Sequence, residues 1–200
     1  MPRKIAVLFV HGIYNDDDKY HAPMQRRLED ALGSRLKGYV DFEPANWAPI
    51  VRRHQKAYME RLIEYGLVDD TNFRRMALQG LGDAAAYQKT RDYRNSSYYE
   101  IQAEVRRAID ALDQRGEPDR PLVFIGHSLG CHILSTFAWD TFTMRSASPQ
   151  SLEGKDQKVR EFADYLQSGS AFRRLSTLAG FVTMGCNMPL FTFTFGPDRI

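Results

Sequence analysis

The pentapeptide Gly126-His127-Ser128-Leu129-Gly130 constrains this chain more tightly than any other stretch. It follows the apolar run Pro121-Leu122-Val123-Phe124-Ile125 and precedes Cys131-His132-Ile133-Leu134. The pattern predicts a buried strand, a one-residue corner and a helix. A chain that passes from strand to helix within one residue holds Ser128 in a strained backbone conformation, and side chains two positions to either side would collide. Glycine fits there without that collision. The corner lifts the serine hydroxyl above the sheet edge, beside a helix N-terminus whose N–H groups favour negative charge. Ser128 is therefore a candidate nucleophile. A bare G-x-S-x-G arises by chance in roughly one chain of this length in fifteen, and what lifts this one above chance is the apolar strand before it and the apolar helix after it. The bland alternative is a glycine-rich turn without chemistry.

Length and charge narrow the remaining classes. At 200 residues, 43% hydrophobic and 26% charged, the chain suits one domain with one substantial core. Its net charge of +2 comes from 27 basic and 25 acidic side chains without a long run of either sign, so no nucleic-acid face is expected. The apolar run Ile5–Val10 is too short for a signal peptide and no stretch approaches a transmembrane span. Cys131 and Cys186 both lie in apolar segments, which suits reduced thiols and a cytoplasmic protein better than a disulfide framework.

Ile5–Val10 ends in His11-Gly12 and has the continuous apolar character of a strand covered on both faces. Asn15-Asp16-Asp17-Asp18 follows; it lacks the spacing and distal Glu of a calcium loop, and a solvated loop without metal is expected. Met24, Leu28, Ala31, Leu32 and Leu36 recur at helical spacing, with Gly38 as the stop. Residues 39–43 alternate as a short strand. A second helix follows Pro49, with Val51, His54, Tyr58, Leu62 and Tyr65 on one face. Residues 66–95 show no strand pattern and are expected to form a helical cap insertion lying over the carboxyl edge of the sheet. Ser97-Tyr98-Tyr99-Glu100 fits a capping box, and Tyr98, Ile101, Val105, Ala108, Ile109 and Leu112 mark the buried face of the helix that feeds the Ser128 strand. The helix after Ser128 is apolar almost all round through Trp139, so it is expected to be buried. Residues 141–158 look loop-like, 159–166 helical, and Leu178–Met184 forms another buried strand. Beyond it Phe191, Phe193 and Phe195 alternate with threonines. Strands alternating with helices imply a doubly wound, mostly parallel α/β sheet, with its ligand site at the carboxyl ends of the strands.

Two of those carboxyl ends carry Phe9-Val10-His11-Gly12 and Gly126-His127-Ser128-Leu129-Gly130, and with them the chain resembles the α/β-hydrolase superfamily, in its lipase and esterase branch, over residues 5–188. The resemblance implies a sheet of the α/β-hydrolase type, Ser128 as catalytic nucleophile, and an oxyanion hole from the amides of Leu129 and Ile13 in the turn after Gly12. It implies acyl transfer on a small-molecule or lipid ester, with no cofactor and no metal. Where some esterases continue with further glycines, this chain has Ile13 and Tyr14.

The resemblance also implies an acid and then a histidine later in the chain. No histidine follows His132, and the acid after the last strong strand is Asp198. The triad acid and base are unassigned, with His21 and His54 open as substitutes for the base. The expectation is a chain that ends after the strand containing Val182, without the last strands of the fold, and with that strand exposed as an edge through which copies associate. Two further readings stay open: a catalytically incomplete hydrolase-fold binding or scaffold protein, and, more distantly, a cysteine acyltransferase using Cys131.

Overall fold

Four of the apolar or alternating runs form strands: β1 (Ile5–Val10), β2 (Val40–Ala45), β3 (Leu122–His127) and β4 (Leu178–Met184). The computed structural model describes residues 4–15, 17–36, 38–66, 80–88 and 97–186. The strands pair in the order β2-β1-β3-β4, and every pairing is parallel. Parallel neighbours need crossovers, and the helices supply them. These are α1 (Ala22–Leu36), α2 (Ala48–Glu64), helical residues 80–86 (α3), α4 (Ser97–Asp113), α5 (Leu129–Met144), α6 (Pro149–Leu152) and α7 (Gln157–Ser168).

The central strands are apolar on both faces because both faces are covered. Ala6, Leu8 and Val10 of β1 and Leu122 and Phe124 of β3 point into the larger core. There they meet Ile101, Val105 and Ile109 of α4 and Ile133, Leu134 and Phe137 of α5. The alternate residues Val7, Phe9 and Ile125 form a smaller cluster on the opposite face with Met24 and Leu28 of α1. The predicted buried face of α4 is observed: Tyr98, Ile101, Val105, Ala108, Ile109 and Leu112 are all buried.

This arrangement fixes where a ligand site can lie. From β1 the chain crosses by α1 to β2 on one side; from β3 it crosses by α5 to β4 on the other, over the opposite face. The direction of winding reverses between β1 and β3, which opens a crevice at their carboxyl ends. Val10 is level with Gly126 in the register, so the residues that follow each strand, His11-Gly12 and His127-Ser128, leave the sheet side by side.

Three sequence expectations change. On α2 the buried residues are Ala48 and Val51, in its first turn, whereas Tyr58 and Tyr65 further along are 55% and 73% exposed. Trp139 on α5 is likewise 73% exposed, because the core takes one side of that helix and the indole stands on the other. Residues 141–158 are not all loop: α5 continues to Met144, and α6 forms where the Ser148 side chain accepts a hydrogen bond from the Ser151 amide and Pro149 opens the helix. That cap and proline were a readable start signal. Among the described residues β4 is an edge strand, with Val182 48% exposed, and no helix is long and apolar enough to cross a membrane. The Phe191–Phe195 segment and Asp198 lie outside the described residues.

The tightest contact between helix and sheet is at Gly130. A Cβ there would lie 2.7 Å from the His11 carbonyl oxygen and closer still to that of Val10. Alanine improves helix propensity by about 1 kcal/mol, but here the clash is with backbone that cannot rotate away. Gly130→Ala should therefore lower stability by about 3 kcal/mol, read as a reduced urea midpoint; an unchanged midpoint would show that α5 does not sit on β1 this closely.

Candidate active site

Ser128 occupies the residue between β3 and α5 with φ 50° and ψ −120°, a region that L-residues adopt at a cost of about 1–3 kcal/mol. Three neighbours hold it there. Its amide donates to the Met184 carbonyl at the end of β4, 2.8 Å away, and its own carbonyl accepts from the Cys131 amide at 3.0 Å. On the near side, a Cβ on Gly126 would sit 2.9 Å from the backbone N and Cα of Cys131. The glycine two before the serine and the glycine two after it are thus explained by backbone contacts on opposite sides of the turn.

The loop after β1 closes on the same point. A Cβ on Gly12 would lie 2.6 Å from the Ser128 Cβ, 3.2 Å from its Oγ and 3.0 Å from the His127 carbonyl oxygen. Gly12 is therefore the residue that lets the two loops touch. Leu129, whose side chain is fully buried, opens α5, so its N–H has no partner within the helix. Ile13 lies one residue past Gly12 and is 39% exposed. The structure brings Gly12, Ile13, Ser128 and Leu129 to one end of the sheet.

Around this pair the loop of residues 11–15 is tied down by its backbone. The Trp47 indole N–H donates to the His11 carbonyl at 3.0 Å, the Tyr14 amide donates to Asp83 Oδ2 at 3.0 Å, and the Arg52 guanidinium donates to the Asn15 carbonyl. His11 is buried, stacked on Trp47 at 4.8 Å between centroids, with Nδ1 2.7 Å from the Gly12 carbonyl and Nε2 3.0 Å from Asn46 Oδ1. Asn46 is oriented by donating through Nδ2 to Asp18 Oδ1 at 2.6 Å. His11 is thus a framework residue, and burial holds its pKa below the ordinary value.

The other histidines separate into different places. His54 is exposed on α2. His132, half-buried, sets its ring edge-on to Tyr87 at 5.5 Å, and burial lowers its pKa. His127 is exposed beside Ser128, and together with Gly12, Ile13, His21, Arg27 and Met184 it lines a pocket of about 470 Å³ on the α1 side of the crevice. His21 presents a buried Nδ1 with no hydrogen-bond partner among the described residues, and its pKa is also lowered by burial. Of the two histidines held open as a base, His21 shares the pocket with the Gly12 loop and His54 does not. Cys131 is buried, its Sγ donating to the Gly126 carbonyl at 3.2 Å, and burial raises its pKa, which suits an inert thiol.

The described part of the 66–95 stretch, residues 80–88, lies at this same end. Asp83 reaches Tyr14, Gly80 approaches the Tyr14 ring, and Tyr87 packs beneath His132 and donates to the Ile133 carbonyl. Residues 67–79 and 89–95 lie outside the described residues. Sequence pattern did not single out Asn46, Trp47 or Asp83, because their roles depend on contacts 35 to 69 positions away along the chain. Compared with known proteins, the chain matches no family model, no curated protein sequence and no solved structure.

Two measurements test this geometry. Ser128→Gly and Ser128→Ala both delete the hydroxyl, but glycine also relieves the strained φ; after its greater unfolded-chain entropy is counted, Ser128→Gly should be the more stable by about 1 kcal/mol. Equal melting temperatures would deny the strain. The second concerns pH: His11, His21 and His132 are each depressed from 6.5 by burial, so the unfolded chain binds protons first. Stability should be full above 6.5 and fall as pH drops below it, at a slope of at most about 1.4 kcal/mol per pH unit for the deeply buried His11 and less for the half-buried His21 and His132. A flat urea midpoint between pH 7.5 and 5.5 would contradict their burial.

Proposed function

We propose that the chain is a serine ester hydrolase of the α/β-hydrolase type. The single observation that carries this reading is the backbone of Ser128, strained at the winding reversal of the sheet, with Gly12 packed against its side chain. A strained serine at a strand-to-helix corner, facing a second loop, is the arrangement that serine acyl transfer needs.

In this reading Ser128 Oγ attacks the ester carbonyl carbon, a C–O bond forms, and the carbonyl oxygen takes negative charge. The amides of Leu129 and Ile13 donate to that oxygen; removal of one such donor typically costs about 3–4 kcal/mol of transition-state stabilisation. The tetrahedral intermediate collapses, the alcohol leaves with a proton, and water then releases the acyl group from Ser128. The Ser128 proton needs an acceptor, and His21 is the histidine to vary first: it shares the pocket with Gly12 and Ile13, and burial favours the neutral, proton-accepting ring. The pocket's lining is mixed, apolar at Phe9, Met24, Ile125 and Met184 and polar at His21, Arg27 and His127, which suits an ester with an apolar acyl or alcohol group and a polar remainder, a small-molecule or lipid ester. A helical cap over residues 66–95 and a cytoplasmic setting with reduced Cys131 and Cys186 belong to the same proposal.

A fluorophosphonate probe, read by intact mass and peptide mapping, tests it. Ser128 should be labelled in the wild type and the label should vanish in Ser128→Ala, with turnover on a panel of acyl esters lost in parallel. His21→Ala should slow both, and His54→Ala should leave both unchanged. A folded wild type that neither takes the probe nor turns over any ester would favour a hydrolase-fold binding protein instead.

A further inference from the structure

The residue after the proposed oxyanion donor is the second strained position of the site. Tyr14 has φ 67°, in the left-handed region that glycine tolerates and tyrosine does not favour. Its side chain does little to explain this, since the residue is 44% exposed and the ring lies against the edge of α3 at Gly80. Its amide explains it. That N–H donates to Oδ2 of Asp83 at 3.0 Å, across 69 positions of sequence, and Asp83 is itself 5% exposed. The other carboxyl oxygen is occupied, accepting from Gln55 Nε2 at 2.9 Å, so the acceptor is held in place by α2.

Resting on the serine hydrolase reading above, we propose that Asp83 is a positioning residue of the oxyanion loop: it clamps the Tyr14 amide at positive φ and so turns the Gly12–Ile13 backbone toward Ser128. The three ties on this loop are not equivalent. Trp47 fixes it where it leaves β1 and Arg52 fixes it at Asn15, while Asp83 holds the strained residue between them, next to Ile13. A carboxyl accepting from a backbone N–H makes one of the stronger neutral-to-charged hydrogen bonds, which is what a conformation of intrinsic cost requires. Asp83 lies on α3, in the stretch between α2 and α4, so any movement of that helix is transmitted to the Ile13 donor through the Asp83–Tyr14 hydrogen bond and the close approach of Gly80 to the Tyr14 ring.

The full chain serves for the test, as wild type, Asp83→Asn, Asp83→Ala and the double variant Asp83→Ala/Tyr14→Gly. Two readouts are taken: amide hydrogen exchange of the peptide covering residues 11–15, and the fluorophosphonate labelling rate of Ser128 split into probe affinity and maximal rate. Asp83→Ala should speed exchange at 11–15 while β1, β3 and α5 keep their protection. It should lower the maximal labelling rate by roughly tenfold to a hundredfold, the scale of a misplacement of about 1 Å, with little change in affinity. Asp83→Asn, which keeps an acceptor oxygen, should fall between, and it carries the comparison if the alanine variant does not fold. Tyr14→Gly should restore the rate in the alanine background, because glycine holds positive φ without a clamp; a merely structural carboxyl would not be rescued this way. Unchanged exchange at 11–15, or faster exchange spread over the whole chain, or a double variant that stays as slow as the single one would overturn the proposal. If wild-type Ser128 takes no probe, the hydrolase reading falls, and the exchange data still decide whether Asp83 holds the loop.

Discussion

Backbone packed on backbone, without a side chain between, is the constraint on which this molecule depends. At the carboxyl ends of β1 and β3 two glycines allow it, Gly126 under the first turn of α5 and Gly130 against the carbonyls of Val10 and His11, and a third, Gly12, lets the β1 loop close on the Ser128 side chain and the His127 carbonyl. A methyl group at any of them would occupy space already taken by atoms of another segment. These contacts seat α5 on β1 and force the serine into its strained turn. The two loops that could bind a ligand are thereby brought within van der Waals distance of each other.

The sheet supplies the frame for that contact. Its central strands bury alternate residues in two cores of unequal size, the larger under α4 and α5 and the smaller under α1. The inequality matters for the site, because the thinner covering on the α1 side leaves the pocket lined by Gly12, His21, His127 and Met184. The thick side does the opposite: it buries Leu129, Cys131 and Ile133 completely, behind a half-buried Ser128.

Polar groups in the interior are engaged where they orient the site. His11 is spent on Gly12 and Asn46, and Trp47 on the His11 carbonyl. Arg120, fully buried, pairs with Asp41 and donates to the Leu112 carbonyl, joining the start of β2 to the end of α4. A charge so enclosed is costly unless paired, which makes these contacts conditions for folding rather than additions to it. His21, with an unengaged buried nitrogen, is the exception beside the pocket.

Much of this was legible in the chain, for reasons that are local. β1 and β3 could be read because central parallel strands buried on both faces are continuous apolar runs, β2 because it alternates and β4 because it is apolar although it lies at the sheet edge with no buried residue. The inward face of α4 could be read because a packed helix repeats every 3.6 residues. The strain at Ser128 was legible too, since glycines two residues to either side are what a one-residue corner between strand and helix requires. What the residues alone could not decide was which helix faces meet a partner: the spacing of Tyr58, Tyr65 and Trp139 resembles that of core residues, and all three are exposed because no local pattern records where the core ends. Nor could spacing show that His21 lines the pocket and His54 does not, or that Asp83 reaches the Tyr14 amide. The sequence by itself determined the alternation of strands and helices and the position of the strained serine, because these are set by neighbours within a few residues. Only the tertiary structure decided that Gly12 packs on that serine, that His21 lines the neighbouring pocket and that Asp83 holds the Tyr14 amide, because such contacts join segments far apart in the chain and leave no periodic trace in it.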